Sequence, residues 1–492
     1  MWVLPTRQGS EAGLGRKFEA VSSPTKTILP IRHLVLKRGC VDKAAGSRHG
    51  DYFKSAASNQ WRKIIASRST RFRNSLSTRF RAMQHRNFQL FIAGQLTSLV
   101  GTWMQTTAQL WLVYRLTGSA ALLGIFGFAS QLPMLFLSSL GGYLGDHYNR
   151  HRGVISTQSV SMVLAFVLAT LTRTGEIRGW RGAWVVIGIA FLVGMVNAFD
   201  VPIRQAFLVQ MVGKEDLPNA IALNSSIFNG ARVVGPAIAG FAIAWLGEGW
   251  CFFLNGLSFV AVIVALLMMR IPKTEMKPGD ESPLRSLVQG FQFAIGDLPI
   301  RSTLLLLSAL SLFGLQYSVF MPIYAQDILK GNARTLGLLM SSAGVGAVLG
   351  ALHFAARTNY KGLARWIGAT STTCAIALLI FSEAKVFWLC VVVLFVVGFA
   401  ATSQMAATNT LIQNRVPDRL RSRVMAVYAT MFMGVQPIGA LLAGGVAKRI
   451  GAPYTLTMFG GLVLVASLVF LFRVVMRLER TSTEPTKAAA SD

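Results

Sequence analysis

The chain alternates long apolar stretches with short polar breaks. From residue 88 to residue 472 we count twelve such stretches, each near the roughly 20 residues a helix needs to cross the hydrocarbon layer of a bilayer. Backbone groups in lipid must be satisfied internally, which leaves helices or closed barrels. The alternation of a barrel strand is absent. The pattern predicts an all-α, polytopic membrane protein. The longest interior polar stretch holds Pro272, Pro278, Gly279 and Pro283 and parts the twelve stretches into six and six. The expected organisation is a tail over 1–84, a six-helix bundle over 85–270, a linker over 271–301, a second six-helix bundle over 302–473 and a tail over 474–492. Inside the linker Leu284, Leu287, Val288, Phe291 and Ala294 recur on one face, which predicts a short amphipathic helix over 282–297.

The two halves are related. Shifted by 204 positions without a gap, 212–247 lies on 416–451, and Gly230, Gly235, Gly240 and Gly247 fall on Gly434, Gly439, Gly444 and Gly451. Val212/Val416, Ala222/Ala426, Phe228/Phe432 and Ala239/Ala443 match as well. A second match, at a shift of 213, aligns Gly118, Ala120, Leu123 and Gly124 with Gly331, Ala333, Leu336 and Gly337. Repeats of this length in a membrane chain are the usual plan of a transporter built from two pseudo-symmetric halves.

Composition agrees with this. Of 492 residues 53% are hydrophobic and 14% charged, and mean hydropathy is +0.50, more apolar than a soluble core could hide. The formal charge of +28 would suggest nucleic acid, but its distribution argues otherwise: 18 of the 48 Lys and Arg precede Asn87, against four Asp and Glu, and most others fall in loops. Loop cations report topology. The loops on the side of the termini, with their margins, hold 20 Lys and Arg against 9 opposite, which places both termini in the cytoplasm. The loop with Arg173, Arg178 and Arg181 runs against that trend. The tail over 1–84 lacks the apolar core of a secretory signal and is expected to be disordered. Its basic end, 62–86, suits an anionic membrane surface and its composition also resembles an organelle transit peptide, while the stronger expectation is an upstream extension with Met83 nearer the start of the folded part. Cys40, Cys251, Cys374 and Cys390 have no metal-like spacing, and no metal or cofactor is expected.

Along the first stretch Gln95, Ser98, Thr102, Gln105 and Gln109 recur at three- and four-residue steps, one stripe on an apolar cylinder. It reads as the wall of a watery cavity or as glue to a neighbouring helix, and the cavity is the expectation carried forward. Arg232 is the lone charge well inside a span, where insertion costs about 2.5–3.5 kcal/mol. It shares a helix face with Ser225 and Asn229. An anionic group of a substrate and a neighbouring helix are equally suitable partners. No carboxylate lies in mid-span: Asp146 and Asp200 sit at one set of ends, Asp327 and Glu383 at the other. The glycines of Gly344-x-Gly346-x-x-x-Gly350 follow no strand and read as helix packing rather than a nucleotide loop. No phosphate loop or nucleophile motif is present, so neither enzymatic chemistry nor ATP-driven transport within this chain is expected.

Between the second and third stretches stands Gly141-Gly-Tyr-Leu-Gly-Asp146-His-Tyr-Asn-Arg150-His-Arg152. Gly142, Leu144, Asp146 and Arg150 resemble the Gly-x-Leu-Ala-Asp-Arg-x-Gly-Arg-Lys loop of the major facilitator superfamily, with His147, Asn149 and His151 departing from it. The segments around Asp200-Val-Pro-Ile-Arg204 and Arg232-Val-Val-Gly235-Pro236-Ala-Ile-Ala-Gly240 look like its exporter branch, that of the enterobactin exporter and the transmembrane secretion effectors. The resemblance covers roughly 80–473. It implies two six-helix bundles around a central cavity and alternating access. It also implies a latch in which Asp146 caps the helix starting near Leu420 and Arg150 pairs with Asp200, and an antiporter-like motif at Gly235, Pro236 and Gly240. The expected function is efflux of small amphipathic molecules, siderophores or drugs, driven by an ion gradient and most simply by H+, across the plasma (inner) membrane. An importer or lipid carrier of the same fold, and a non-transporting receptor or scaffold, are the other readings.

Overall fold

The computed structural model describes residues 81–271, 283–357 and 362–475, apart from the side chains at 139, 146, 283–287, 474 and 475. The expectation for the N-terminal tail falls outside these residues. All regular structure within them is helical. Among the described residues ten helices are long and apolar enough to cross a membrane. One of them, Gly179–Leu246, has 68 residues, about 100 Å at 1.5 Å per residue and three times the hydrocarbon thickness. Its path breaks at Gly213, where φ is 74°, a left-handed conformation that glycine adopts without a Cβ clash. We label its parts α4 (179–212) and α5 (214–246). The sequence reading ends this fourth helix near Phe199, whereas the structure continues it through Asp200 to the glycine.

The other long helices are α1 (Arg86–Thr117), α2 (Ala120–His147), α3 (Arg150–Arg173), α6 (Glu248–Leu267), α7 (Leu298–Ile328), α8 (Ala333–Ala355), α9 (Leu363–Glu383), α10 (Phe387–Arg415), α11 (Asp418–Ile450) and α12 (Ala452–Arg473). α1 is long enough to span but is not among the ten, because its glutamines and threonines lower its apolarity. The twelve stretches are these ten helices with Gly179–Leu246 counted twice and α1 added. A further helix, Pro283–Gly296, precedes α7. It lies against α11, where Gly290 meets the Arg423 carbonyl and the Arg423 guanidinium donates to Gln289.

The repeats are visible in the backbone. Gly247 and Gly451, which end the two copies, have φ/ψ of 86°/168° and 85°/161°. Where α4 breaks at Gly213, the position 204 residues on is Pro417, which separates α10 from α11. Glycine permits the break in one copy and proline enforces it in the other.

Within each half, glycines let helices touch along their backbones. Gly94 and Gly101 of α1 face α6, and a Cβ on Gly101 would lie 2.5 Å from Asn255 Oδ1. Gly346 and Gly350 of α8 face the Phe395 and Phe399 carbonyls of α10, while Gly344 reaches across to α5 of the other half at Arg232 and Val233. The spaced glycines of α8 therefore serve packing on two sides, as expected.

Two seams join the halves. On one, Gly240 of α5 meets Gly337 of α8: a Cβ on Gly240 would lie 2.8 Å from the Ala333 carbonyl oxygen and 3.1 Å from Gly337 Cα. On the other, Gly444 of α11 meets Gly124 of α2, and a Cβ on Gly124 would lie 2.6 Å from the Ala440 oxygen and 2.7 Å from Gly444 Cα. Gly240 and Gly444 correspond through the 204-residue repeat, Gly124 and Gly337 through the 213-residue one. Both seams lie toward the end of the molecule opposite the 146–152 loop, here called the far end. Toward the loop end the same helices leave apolar side chains uncovered, with Phe136 67% and Leu140 47% exposed on α2.

A β-branched residue cannot fit at a seam without parting the backbones, and overpacking of this kind costs about 1–3 kcal/mol. Gly240→Val and Gly444→Val should each lower the thermal unfolding midpoint of the purified protein in detergent. An unchanged midpoint in both would show that the seams do not stabilise this state.

Candidate functional site

The glutamine stripe of α1 is buried, and its residues divide by partner. Gln105 accepts a hydrogen bond from the Asn255 amide of α6 at 2.8 Å, and Asn255 accepts in turn from Ser258 at 3.1 Å. Gln105 is therefore engaged within its own bundle, the glue arrangement, in place of the expected cavity wall. Gln95, Ser98 and Gln109 are buried beside it, and Gln95 Oε1 and Gln109 Nε2 have no hydrogen-bond partner among the described residues. Thr102 accepts at its carbonyl from Thr106. The polar periodicity is real, but its stripe lies between packed helices.

A different face of α1 meets α5. Gly235 lies against Trp103, where a Cβ would come within 2.5 Å of Trp103 Cβ. The Trp103 ring meets Phe228 edge-on at 5.9 Å. Arg232 sits with its guanidinium carbon 5.8 Å from the centre of the Trp103 ring, within cation–π range, and interacts with the Tyr317 hydroxyl of α7. No carboxylate pairs with Arg232 among the described residues. Asn229, one turn earlier, donates to the Ser225 carbonyl at 2.8 Å. Arg232, Asn229 and the Gly235-Pro236 segment are thus brought together, and Trp103 and Tyr317 join them from α1 and α7. The two aromatic residues escape sequence reading because 129 and 85 positions separate them from Arg232. A sharper signal exists in hindsight: Trp103 corresponds at a shift of 213 to Gln316, which packs on Gly439, the repeat mate of Gly235.

At the loop end the expected partners are rearranged. Asp200, whose side chain is 4% exposed, pairs with Arg204 one turn along at 3.1 Å. It also accepts from Thr157 at 2.7 Å and Gln158 at 2.9 Å. Arg150, the expected partner, donates to the Gly145 and Ala206 carbonyls at 2.8 and 3.2 Å. Arg150 thereby ties α2 and α3 to α4 through backbone oxygens. Arg204 wins the carboxylate because the i,i+4 spacing on one helix presents it there. Gly142 lies in α2, and a Cβ there would meet open space. The side chain of Asp146 lies outside the described residues.

Three contacts unmarked by any motif close the far end. Tyr114 of α1 donates to the Asp327 carboxylate of α7. Arg334 of α8 packs over Trp245 and Phe241 of α5 at 5.3 and 5.8 Å. Ser341 of α8 donates to the Val233 carbonyl at 2.8 Å. All three cross between the halves. The site at Arg232 lies between this closed end and the loop end.

The chain belongs to the transmembrane secretion effector family, whose profile matches residues 77–491. It is a multi-pass membrane transporter of the major facilitator type and not an enzyme. It is 26% identical over 399 residues to the staphyloferrin A transporter of Staphylococcus aureus, covering 80% of this chain and 98% of that one. To the multidrug efflux pump Tap of Mycolicibacterium fortuitum it is 26% identical, with coverage of 80% and 98%. To the enterobactin exporter EntS of Shigella boydii it is 26% identical, with coverage of 79% and 88%. Among solved structures, the nucleoside transporter NupG superposes with a TM-score of 0.62 at 14% identity, over 79% of this chain and 98% of that one. A bacterial homologue of the lysosomal transporter Spinster gives 0.59 at 14%, over 78% and 96%. The solved structures speak for the fold alone.

Removing the charge of Asp200 leaves half-buried Arg204 without a counter-ion and breaks a pair whose carboxylate is enclosed, which costs about 1–3 kcal/mol. Asp200→Asn should therefore lower the unfolding midpoint markedly, and the double change Asp200→Asn with Arg204→Met should recover part of the loss. A single variant as stable as the parent would remove Asp200 from the structural scaffold of this end.

Proposed function

We propose that the protein exports small, amphipathic, partly anionic molecules by alternating access, exchanging them against an ion gradient, most simply of protons. The observation that carries the reading is Arg232, a guanidinium inside a span between the two halves, set over the Trp103 ring and beside the Tyr317 hydroxyl and matched by no carboxylate among the described residues. A half-buried cation of this kind favours a ligand that brings its own negative charge, and the Trp103 ring suits an apolar or aromatic body. In this reading the cargo loads from the loop end. Termini in the cytoplasm, from the loop charges, make that side the cell interior and the membrane the plasma (inner) membrane. The functions of the relatives, enterobactin export and multidrug efflux, support the outward direction. In this reading the loop carrying Gly142, Asp146 and Arg150, with the Asp200 cluster, closes the loop end when the far end opens. Gly235, Pro236 and Gly240 are the bend and seam about which α5 moves.

The test compares metabolites inside and outside cells with and without the protein, repeated after collapsing the proton gradient. An anionic compound should accumulate inside when the protein or the gradient is missing. Arg232→Ala should reproduce that accumulation at normal protein levels, while Arg232→Lys retains part of the export. No gradient-sensitive difference would overturn the export reading, and export undiminished in Arg232→Ala would remove Arg232 from the cargo site.

A further inference from the structure

The far end of the first half contains a second charged site, away from Arg232. A cavity of about 300 Å³ opens there between α1, α3 and α6, lined among others by Arg115, Thr172, Arg173, Glu248, Gly249 and Trp250. Arg115 is committed to Glu248 through contacts of 2.7 and 3.2 Å. Arg173 lies over the Trp250 ring at 4.3 Å. Its stem fits because residue 249 is glycine: a Cβ there would come within 2.6 Å of Arg173 Cγ. Arg173, and Arg178 and Arg181 nearby in sequence, pair with no carboxylate among the described residues. Glu176 is the one acid of the intervening loop. Four arginines thus face two acids, at the loop whose charge contradicts the topology trend of the rest of the chain.

One turn along α3 the surface changes character. Val163, Phe166, Val167, Thr170 and Leu171 line an apolar groove of about 360 Å³. The groove and the cavity share helix α3, and a chain of rings links them: Phe166 meets Phe253 edge-on at 5.6 Å, and Phe253 meets Trp250 at 5.6 Å. Trp180, Trp184 and Trp245 are exposed near the helix ends on this side, where tryptophan marks the headgroup level of a bilayer. A cationic pocket at headgroup depth that continues into an apolar channel along the membrane-facing side of a helix matches one kind of ligand.

We infer that this site holds an anionic phospholipid as a resident ligand, its phosphodiester at Arg173 and one acyl chain along 163–171. Charge complementarity selects the headgroup, since a phosphate brings the counter-charge that Arg173 lacks. The groove selects a lipid over a free anion. A lipid seated here braces α3 against α6 without entering the transport path, so the site is separate from the cargo site.

The test titrates delipidated full-length protein with dioleoyl phosphatidylglycerol, dioleoyl phosphatidylcholine or glycerol 3-phosphate and counts bound molecules by native mass spectrometry. Phosphatidylglycerol should bind more tightly than phosphatidylcholine, by roughly fivefold or more per uncompensated cation. Arg173→Gln should erase that preference. Val167→Trp, which fills the groove from its exposed side, should weaken phosphatidylglycerol binding while leaving glycerol 3-phosphate unaffected. Val465→Trp, on the exposed surface of α12, should change neither. Equal binding of the two lipids, or a preference surviving in Arg173→Gln, would overturn the proposal. Glycerol 3-phosphate binding as tightly as the lipid, with Val167→Trp silent, would make the pocket a free-anion site and overturn it equally. Unfolding midpoints matching the parent confirm that the variants are folded.

Discussion

The structure depends on four glycines that let two halves of a membrane protein touch through their backbones. Lipid supplies no hydrophobic drive between helices, so their association relies on close packing and on the contacts it permits. Gly240 with Gly337, and Gly124 with Gly444, bring α-carbons to a distance that any side chain would forbid. The polar contacts at the far end, Tyr114 to Asp327 and Ser341 to Val233, form only because the backbones have come this near. The glycines do not create affinity for a ligand. They create a closed end, and beyond it one arginine is held between the Trp103 ring and the Tyr317 hydroxyl.

Charge within that frame is handled in two ways. Asp200 is buried and fully answered, by Arg204, Thr157 and Gln158, as an ion deep in a bundle must be. Half-buried Arg232 is answered by one π-face and a hydroxyl, which soften the cost of its partial burial without cancelling the charge. The contrast separates scaffold from site. A fully satisfied ion pair holds helices in place, whereas a cation left in want of an anion has something to bind.

The repeats were the most legible part of the chain, because they rest on glycine positions and glycine is conserved between the copies by backbone geometry. Gly247 and Gly451 share their φ and ψ to within a few degrees, and the glycines matched at 204 and 213 became the partners across both seams. Helix placement was legible for the same reason that a bilayer is a simple solvent. What could not be read was direction around a helix axis. The stripe from Gln95 to Gln109 announces a polar face but not what faces it, and Asn255 on α6, 150 residues away, turns out to be the partner of Gln105. Arg150 and Asp200 looked like a pair by analogy, yet Arg204 stands one helical turn from the carboxylate and reaches it first. Contacts such as Trp103 with Arg232, or Tyr114 with Asp327, carry no local pattern at all.

Both copies of the repeated segment run the same way through the molecule, since Gly240 and Gly444 lie at the same end. An even number of crossings separates them. Had the duplicated unit contained an odd number, the second copy would stand upside down, and its glycine seam would form at the opposite face. The parity of the unit therefore decides that the two seams close together, like the jaws of a single clamp, and that a departure from symmetry such as arginine at 232, where its mate at 436 is glutamine, stands at the same depth as its mate in the other half.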